Sequence, residues 1–597
     1  MGRIVGIDLG TTNSLVAALV GDRPEVIAGR TGRRLTPSVV ALDLKGQLHV
    51  GDSARSQLLT HPDRAVAEVK RLMGSGENVT LGDRRYSPTE ISALVLKQLR
   101  ADAERHFGEP VEEAVITVPA YFTDGQRQAT RDAGELAGFR VERILNEPTA
   151  AALAYGLGQL QAEKHVLVYD LGGGTFDVSV LEMFQGVLDV KASSGNARLG
   201  GSDFDRHVME WIFERVQREA GVDLRKDRQV LARVKAAAEQ AKIELSATES
   251  ALISLPFLAP GPGGAPISIE LELSRAELEQ LIGDLVRSTL DPLNAALKDA
   301  RLAPADISDV VLVGGSSRIP LVHQLLAEHF GRAPREGVHP EEAVALGAAI
   351  QAGLKSGQVS SEQGIMISDV SPFTLGVEVS RGSGIRAEHG FFGAIIPRNS
   401  TIPISKTEVY STTGDGQTGV KIRVYQGEGE RVAENTFLDE YHVGGIPPAP
   451  AGREKIAITF HYDVNGILQV KTRVLSTGKE ASLVVDKNLL RLSAPERDAA
   501  KTRLEREWTA RPAPAAAAAA TTAAQATPAT GAATGPASPG DERAQLVAAA
   551  RTRAAGAPDE VRQKLQALCS DLERPGVPAD RAERLEAELT ELLFSLD

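Results

Sequence analysis

The chain is nearly free of cysteine: Cys569 is the only one in 597 residues. One thiol cannot form an internal disulfide, which indicates a reducing compartment. No run of about 20 apolar residues occurs, so no membrane span is expected, and the N-terminus lacks the apolar core of a secretory signal. The net charge of −13 argues against a nucleic-acid backbone as the main partner. We therefore expect a cytoplasmic protein with no membrane or nucleic-acid partner.

Residues 1–349 alternate between strand-like and helix-like patterns. Short apolar runs typical of buried strands occur at Arg3–Asp8, Ala114–Val118, Val166–Asp170 and Asp309–Val313. Longer amphipathic patterns that predict helices occur at Ser87–Phe107, Gln126–Leu136 and Asp203–Glu219. Strands that alternate with helices indicate an α/β architecture.

The pattern changes after residue 349. Short β-like runs occur at Thr374–Val379, Val420–Tyr425, Lys455–Phe460 and Ile467–Val474, and Asn465-Gly466 between the last two is a strong hairpin signal. This region reads as a compact β domain. Residues 489–508 are predicted to be helical, 511–540 form an Ala/Pro/Thr tract predicted to be a disordered linker, and 541–597 are again predicted to be helical.

Two glycine-rich loops are related in sequence. Each follows an apolar strand and an aspartate: Asp8 precedes Gly10, Thr11 and Thr12, and Asp170 precedes Gly172, Gly173, Gly174 and Thr175. Glycine turns let backbone N–H groups approach phosphate oxygens, and carboxylates at strand ends can hold the water shell of Mg²⁺. Asp177 adds a carboxylate two residues past Thr175. Each loop taken alone could be an ordinary hairpin turn, but two in one chain favour phosphate binding and an internally duplicated fold.

Neither loop matches the two common nucleotide-binding motifs. No Gly-Lys-Ser/Thr follows, as a P-loop requires, and a strand rather than a helix follows Gly174, unlike a Rossmann motif. A third element comprises Gly314, Gly315, Ser316, Arg318 and Ile319 after an apolar run. Its glycines let a flat ring lie against the backbone, and the Arg318 guanidinium can stack on that ring. The alternative is a plain strand-to-helix turn.

In this order and spacing, the three elements resemble the heat-shock protein 70 family, the DnaK-type chaperones. The resemblance covers about residues 1–490 and extends through segments 116–122, 146–152, 199–205, 238–246, 371–378, 425–428 and 465–468. It implies an actin-like, duplicated ribonuclease H-like ATPase domain (1–358), a linker (359–370) and a β-sandwich peptide-binding domain (371–486). The helical start of a lid (487–510), the disordered tract (511–540) and a short helical segment (541–597) would follow.

The resemblance implies roles for individual residues in ATP hydrolysis. Asp8 and Asp170 would hold Mg²⁺, largely through water, and K⁺ is a further candidate ion. The implied catalytic residues are Lys70, Glu147, Asp170, Thr175 and Asp177. The implied nucleotide-binding residues are Gly10, Thr11, Thr12, Asn13, Gly172, Gly173, Gly174, Gly200, Gly201, Glu239, Lys242, Ser246, Gly314, Gly315, Ser316, Arg318 and Ile319.

The resemblance also implies a peptide site and a route of communication to it. The β domain would clamp extended apolar peptide segments with Val377, Ser380, Tyr410, Thr413, Val420 and Ile422. Without the resemblance, the apolar members of this set read as ordinary core positions. Pro119, Arg127 and Asp369 would connect the nucleotide to the linker, and Arg143 would help to receive a J-domain cochaperone. The chain is expected to be a monomer.

Three departures from the family pattern alter these expectations. Segment 72–92 is short, which leaves dependence on a nucleotide-exchange factor open and resembles the specialised HscC branch. Ser368 replaces the fourth apolar residue of the linker, so weaker coupling is expected. Ser380 and Thr413 are polar where the family closes an arch over the peptide with apolar side chains, which predicts a weaker or differently selective clamp.

The glycine loops are also compatible with two other classes of protein. An actin-superfamily small-molecule kinase would need a carboxylate base and an acceptor pocket between its lobes, and a filament-forming protein would need self-association. The appended β domain and linker argue against both, since neither function uses them. The sequence therefore favours an ATPase whose hydrolysis is coupled to binding and release of unfolded polypeptides.

Overall fold

The computed structural model describes residues 3–156, 163–261, 266–335, 339–358, 366–382, 388–484, 494–511, 564 and 566–570. The chain divides into a compact unit, 1–516, and a second unit, 517–597, in which the described residues 564 and 566–570 are helical. The first part of the predicted linker, the predicted disordered tract beyond residue 511 and most of the predicted segment 541–597 lie outside the described residues.

The N-terminal α/β part contains strands β1–β17 and helices α1–α10. Its first half comprises β1 (Arg3–Asp8), β2 (Asn13–Val20), β3 (Arg23–Val26), β4 (Thr36–Pro37), β5 (Val40–Leu42), β6 (Leu48–Val50), α1 (Asp52–Thr60), β7 (Ala65–Val66), β8 (Val79–Leu81), β9 (Arg84–Tyr86), α2 (Pro88–Phe107), β10 (Val111–Val118), α3 (Asp124–Leu136), β11 (Arg140–Asn146) and α4 (Glu147–Gly156). Its second half comprises β12 (Lys164–Leu171), β13 (Phe176–Phe184), β14 (Val187–Asn196), α5 (Gly201–Ala220), α6 (Arg228–Glu244), β15 (Ser250–Pro260), β16 (Pro266–Ser274), α7 (Arg275–Ser288), α8 (Leu290–Ala300), β17 (Asp309–Val313), α9 (Pro320–Phe330) and α10 (Ala343–Ser356).

Two mixed sheets form the framework of this part and repeat one arrangement. In the first sheet, of order β11-β10-β1-β2-β3, β1 is parallel to β10 and antiparallel to β2. In the second, of order β17-β12-β13-β14-β18-β21, β12 is parallel to β17 and antiparallel to β13, and the last two strands are β18 (Met366–Val370) and β21 (Thr401–Ile402). Helices α4 and α10 pack against each other, and their apolar residues share a core with strands from both sheets. The repetition places the ends of β1 and β12 in equivalent positions.

The predicted strands and helices of this part occur close to their expected bounds. Helix α2 begins as its sequence predicts: Ser87 caps it, Pro88 is its first residue, and the Glu90 carboxylate accepts a hydrogen bond from the Ser87 N–H in a capping box. Segment 72–92 is short compared with the family pattern. Before this cap it contains only the last residue of a 3₁₀ helix and the β8–β9 hairpin.

The β domain follows in chain order. It comprises β18 (Met366–Val370), β19 (Leu375–Arg381), β20 (Glu388–Ile396), β21 (Thr401–Ile402), β22 (Ile404–Ser411), β23 (Gly419–Gln426), β24 (Thr436–Gly444), β25 (Lys455–Tyr462), β26 (Leu468–Val474) and β27 (Glu480–Val484). Two four-stranded sheets, β20-β19-β23-β24 and β22-β25-β26-β27, share one apolar core. The predicted hairpin at Asn465-Gly466 joins β25 to β26. Strand β18 instead pairs with β14 of the α/β part.

Helix α11 (Ala494–Thr509) lies in the segment predicted to be helical and packs on α2 and α3. Leu504 is fully buried there, and with Ala500 it joins the core of the first α/β half. Arg503 pairs with Glu90, and Lys97 pairs with Glu505. Among the helices that the structure describes, none is long and apolar enough to cross a membrane.

Candidate functional site

The two glycine loops meet at the base of a cleft between the halves of the α/β part. A Cβ atom on Gly173 would lie 2.0 Å from the Thr12 hydroxyl oxygen, so this contact requires glycine. Ser38 stabilises the first loop, because its hydroxyl donates to the Gly10 carbonyl at 2.8 Å. The loops predicted from the repeated motif are therefore in direct contact, one from each sheet.

The cleft encloses a cavity of about 510 Å³. Its lining includes these predicted residues: Asp8, Gly10, Thr11, Thr12, Asn13, Lys70, Glu147, Asp170, Gly172, Gly173, Thr175, Glu239, Lys242, Ser246, Gly314, Gly315, Ser316, Arg318 and Ile319. The other predicted members lie behind this lining. The Gly201 N–H donates to the Gly172 carbonyl at 2.9 Å, a Cβ on Gly200 would lie 2.5 Å from the Gly174 nitrogen, and Asp177 accepts from the Tyr121 N–H at 3.0 Å.

A buried cluster of one lysine and four carboxylates lies at the loop junction. The Lys70 ammonium donates to Glu147 at 2.6 Å, and both side chains are more than 90% buried. Burial, reinforced by the neighbouring Glu147 charge, raises the pKa of Asp8 and of Asp177 to about 7. The same causes raise the pKa of Asp170 well above its ordinary value. The four carboxylates, when ionised, therefore carry more negative charge than the Lys70 ammonium can neutralise.

This excess of negative charge fits a hydrated divalent cation. Asp8 and Asp170 would hold Mg²⁺ through its water shell, because hard cations prefer oxygen ligands and Mg²⁺ keeps several waters. Within the described ranges, no group of three or more His, Cys, Asp or Glu side chains is placed to ligate a metal directly.

The far end of the cavity contains a second set of polar side chains. Lys242 pairs with Asp205 at 2.7 Å and donates to the Gly201 carbonyl at 3.2 Å. Burial raises the pKa of Asp205 to about 6. Arg318 donates to the His339 ring nitrogen at 2.8 Å and lies 3.7 Å from Glu341. A planar ring held over Arg318 would be flanked by these groups.

Sequence reasoning missed several residues of this site. Arg71 pairs with Asp203 at 2.5 Å and donates to the Gly174 carbonyl at 3.2 Å, so it joins one half of the α/β part to the second glycine loop, which belongs to the other half. His339, Pro340, Leu35 and Ile243 also line the cavity. No local sequence signal identifies them, because each reaches the cavity only through the tertiary arrangement of the two halves.

The β domain has a second cleft, of about 520 Å³, which brings together all six predicted peptide-site residues. Val377 and Ile422 are buried in its wall, while Val420 and Tyr410 are partly exposed to it. Ser380 and Thr413 also line this cleft. The predicted set therefore lines one space, with both apolar and polar members.

The predicted communication residues lie between the two clefts. Pro119 follows β10, and Arg127 donates to the Ala120 carbonyl at 2.9 Å and to Asn146 at 2.7 Å. On the other side of Arg127 is Gly466: a Cβ there would lie 3.1 Å from the Arg127 side chain, and its φ of +73° favours glycine. The turn that the sequence predicts in the β domain is thus also a contact with the α/β part.

The linker residues contact the same region. Asp369 is buried and accepts from the Thr149 hydroxyl at 3.0 Å. Ser368 bonds to Asp189, so it adds a polar contact where the family pattern has an apolar one. Arg143 is half-buried and donates to Gln351 at 2.7 Å, and burial lowers its pKa.

Three further contacts join the β domain to the α/β part. Gln426 accepts from the Asp124 N–H at 3.3 Å, Arg398 pairs with Asp299 at 2.9 Å, and the rings of Tyr121 and Phe373 lie 4.4 Å apart. The Tyr121 N–H also donates to Asp177. A chain of direct contacts therefore runs from the carboxylate cluster to the β domain.

The α/β part has two repeated halves around a cleft lined by glycine loops, and it is joined to a β domain with its own cleft. This combination is typical of a nucleotide-dependent peptide-binding class of protein. The family model described as Hsp70 protein matches residues 4–80 and 76–525. The chain is 49% identical over 484 residues to the Chaperone protein DnaK of Thermotoga petrophila and to that of Thermotoga maritima, which covers 81% of this chain and 80% of each relative. It is 50% identical to the Chaperone protein DnaK of Thermosipho africanus, over 81% of this chain and 79% of the relative. The chain belongs to the Hsp70 family.

Proposed function

We propose that the α/β cleft binds and hydrolyses ATP and that the β-domain cleft binds extended apolar segments of unfolded polypeptides. As a member of the Hsp70 family, the chain is an ATP-dependent molecular chaperone and an ATPase. One observation supports the site assignment most: the Lys70–Glu147 pair lies among three aspartates where two glycine loops meet, of which Asp170 and Asp177 are buried and Asp8 is partly exposed. This cluster supplies the phosphate donors, metal-binding charge and carboxylates that phosphoryl transfer to water requires.

The finer fold assignment follows from the repeated sheets. We assign the α/β part to the actin-like, duplicated ribonuclease H-like class and the β domain to the peptide-binding β-sandwich class. In this assignment Gly10–Thr12 and Gly172–Thr175 cradle the phosphates through backbone N–H groups and hydroxyls. Arg318 stacks on the base, while Lys242 and Glu239 hold the ribose.

In the proposed mechanism, the carboxylates position the attacking water and Lys70 stabilises negative charge. Glu147 fixes the Lys70 ammonium at 2.6 Å, so the ammonium enters the reaction already oriented. Asp177 accepts a proton or a hydrogen bond from water, since its raised pKa lies near neutral pH. When bound through Asp8 and Asp170, Mg²⁺ supplies positive charge beside the phosphates. K⁺ is a further ion that the same oxygen-rich cleft suits.

The coupling between the clefts runs through the Arg127–Gly466 contact and the linker. Arg127 is fixed on one side by Asn146, the residue next to Glu147, and on the other by the β25–β26 turn. A change in how Glu147 is held would therefore alter the docking of the β domain. Binding at the two clefts must then be reciprocal: peptide changes nucleotide affinity by the factor that nucleotide changes peptide affinity.

Partners and compartment follow from the same proposal. Unfolded polypeptides occupy the β-domain cleft, and a J-domain cochaperone docks beside Arg143, near the linker. Whether the chain uses a nucleotide-exchange factor is a question for binding assays, because segment 72–92 is short. We propose from the same segment that the chain resembles the HscC branch. We propose a monomer that acts in the cytoplasm.

A phosphate-release assay with and without an unfolded peptide tests this function. The proposal predicts slow release by the chain alone and faster release when peptide is present. The kinase alternative predicts release or transfer only with a small-molecule acceptor, and no observation on this chain favours it. Peptide-independent turnover with transfer of phosphate to a sugar would contradict the proposal.

A further inference from the structure

The β-domain cleft has two chemically different surfaces. Its interior is apolar and includes Val377, Val420, Ile422, Ile456 and Ile458. Its remaining lining includes hydroxyl, amide and imidazole side chains: Ser380, His389, Thr412, Thr413 and Gln417. A purely apolar ligand side chain would suit the first surface but would form no hydrogen bond with the second.

Thr412 is the most informative of these polar residues. It is 4% exposed, and its hydroxyl oxygen has no hydrogen-bond partner within the described part of the chain. Its backbone is fully used, because its N–H donates to the Glu454 carbonyl at 3.1 Å and its carbonyl accepts from the Gly452 N–H at 2.7 Å. A buried hydroxyl without a partner is unfavourable. The hydroxyl oxygen is itself buried, but Thr412 belongs to the cleft lining, so a ligand that displaces the side chains over it can supply the missing partner.

Other polar groups of the cleft lining are held in place by hydrogen bonds within the chain. The Gln417 side chain accepts from the Thr413 N–H at 3.0 Å and donates to the Gly419 carbonyl at 3.0 Å, which fixes the loop that carries Thr413. Across the cleft lining, the Ser380 hydroxyl and the His389 Nδ1 atom lie 2.7 Å apart. The polar surface is therefore ordered, and its hydroxyls can act as both donor and acceptor.

We infer that this cleft selects extended segments in which an apolar anchor residue is flanked by a hydroxyl or amide side chain, such as serine, threonine, asparagine or glutamine. The inference rests on the proposed peptide-binding function. The anchor fills the apolar interior, and the flanking side chain bonds to Thr412 and the ordered polar surface. Thr412 and Ser380 are then specificity-determining residues of the cleft.

Fluorescence anisotropy with the full chain and two labelled peptides tests the inference. Both peptides carry one central leucine, with serines on either side in one and alanines in the other. We expect the serine peptide to bind about 2- to 12-fold more tightly, the range that one net hydrogen bond provides. Thr412→Val, which keeps the shape and removes the hydroxyl, should reduce this ratio to near one.

Two further variants keep the result interpretable. Thr407→Val removes an exposed hydroxyl paired with Thr459 outside the cleft lining, and it should retain the full ratio. Ser380→Ala should lower the ratio even if Thr412→Val folds poorly. Equal affinity of the two peptides for the parent chain, or an unchanged ratio in both cleft variants, would overturn the inference while leaving peptide binding intact. Failure of both peptides to bind would overturn the proposed function as well.

Discussion

Shortening Leu504 to alanine should release helix α11 from the α/β part. Leu504 is fully buried against the core of the first half, and a buried Leu→Ala change costs about 2–5 kcal/mol. Because α11 packs on the outer side of α2 and α3, its release does not require those helices to unfold. The cost therefore falls on the docking equilibrium and shifts it by about 30-fold to a few thousand-fold. The polar pairs Arg503–Glu90 and Lys97–Glu505 have one partly exposed partner each and contribute too little to compensate.

Hydrogen exchange followed by mass spectrometry measures this release. In Leu504→Ala, peptides covering 494–509 and the facing part of α2 should exchange faster, while the β1–β2 hairpin should not change. Lys501→Ala, at an exposed position of the same helix, is the matched control and should behave as the parent. Equal protection of α11 in Leu504→Ala and the parent would refute the claim that Leu504 holds the helix in place.

Three other predictions concern the two clefts. Lys70→Ala should abolish phosphate release but leave ATP binding largely intact, with exposed Lys45→Ala as the control; turnover at the parent rate would exclude the assigned role of Lys70. Val420→Phe should weaken peptide affinity by about 5- to 150-fold, because overpacking costs about 1–3 kcal/mol, and unchanged anisotropy titrations would contradict the pocket assignment. Because burial raises the pKa of Asp8 and Asp177 to about 7 and the pKa of Asp170 well above its ordinary value, Mg·ATP binding should expel protons, and it should expel fewer at pH 8.5 than at pH 7. Calorimetry in two buffers with different ionisation enthalpies measures this, and a pH-independent proton count would contradict it.

The sequence predicts local features of the fold well, because their causes are local. The Ser87–Glu90 capping box marks the start of α2, and the Asn465-Gly466 pair marks the β25–β26 turn. The aspartates at the ends of β1 and β12 follow from the repeated strand-and-glycine pattern. Each of these signals is contained within a few residues, so spacing and residue type are enough to identify it.

Contacts between distant segments could not be predicted in the same way. Arg71 and Asp203 are far apart in the chain, and their pairing follows only from the meeting of the two halves. The helix at 494–509 is predictable from its composition, but its docking on α2 is not, since its apolar positions would suit any apolar surface. Gly466 is a further example. Its place in the turn is predictable from the sequence, but its contact with Arg127 is not.

The account depends most on coupling between the α/β cleft and the β-domain cleft. The direct measurement is the dissociation rate of a labelled leucine-containing peptide, followed by fluorescence after adding excess unlabelled peptide with or without Mg·ATP. We predict that ATP accelerates release by about 5- to 150-fold, the usual range for coupled sites. Release at the same rate with and without ATP, by a chain that binds both ligands, would contradict the account.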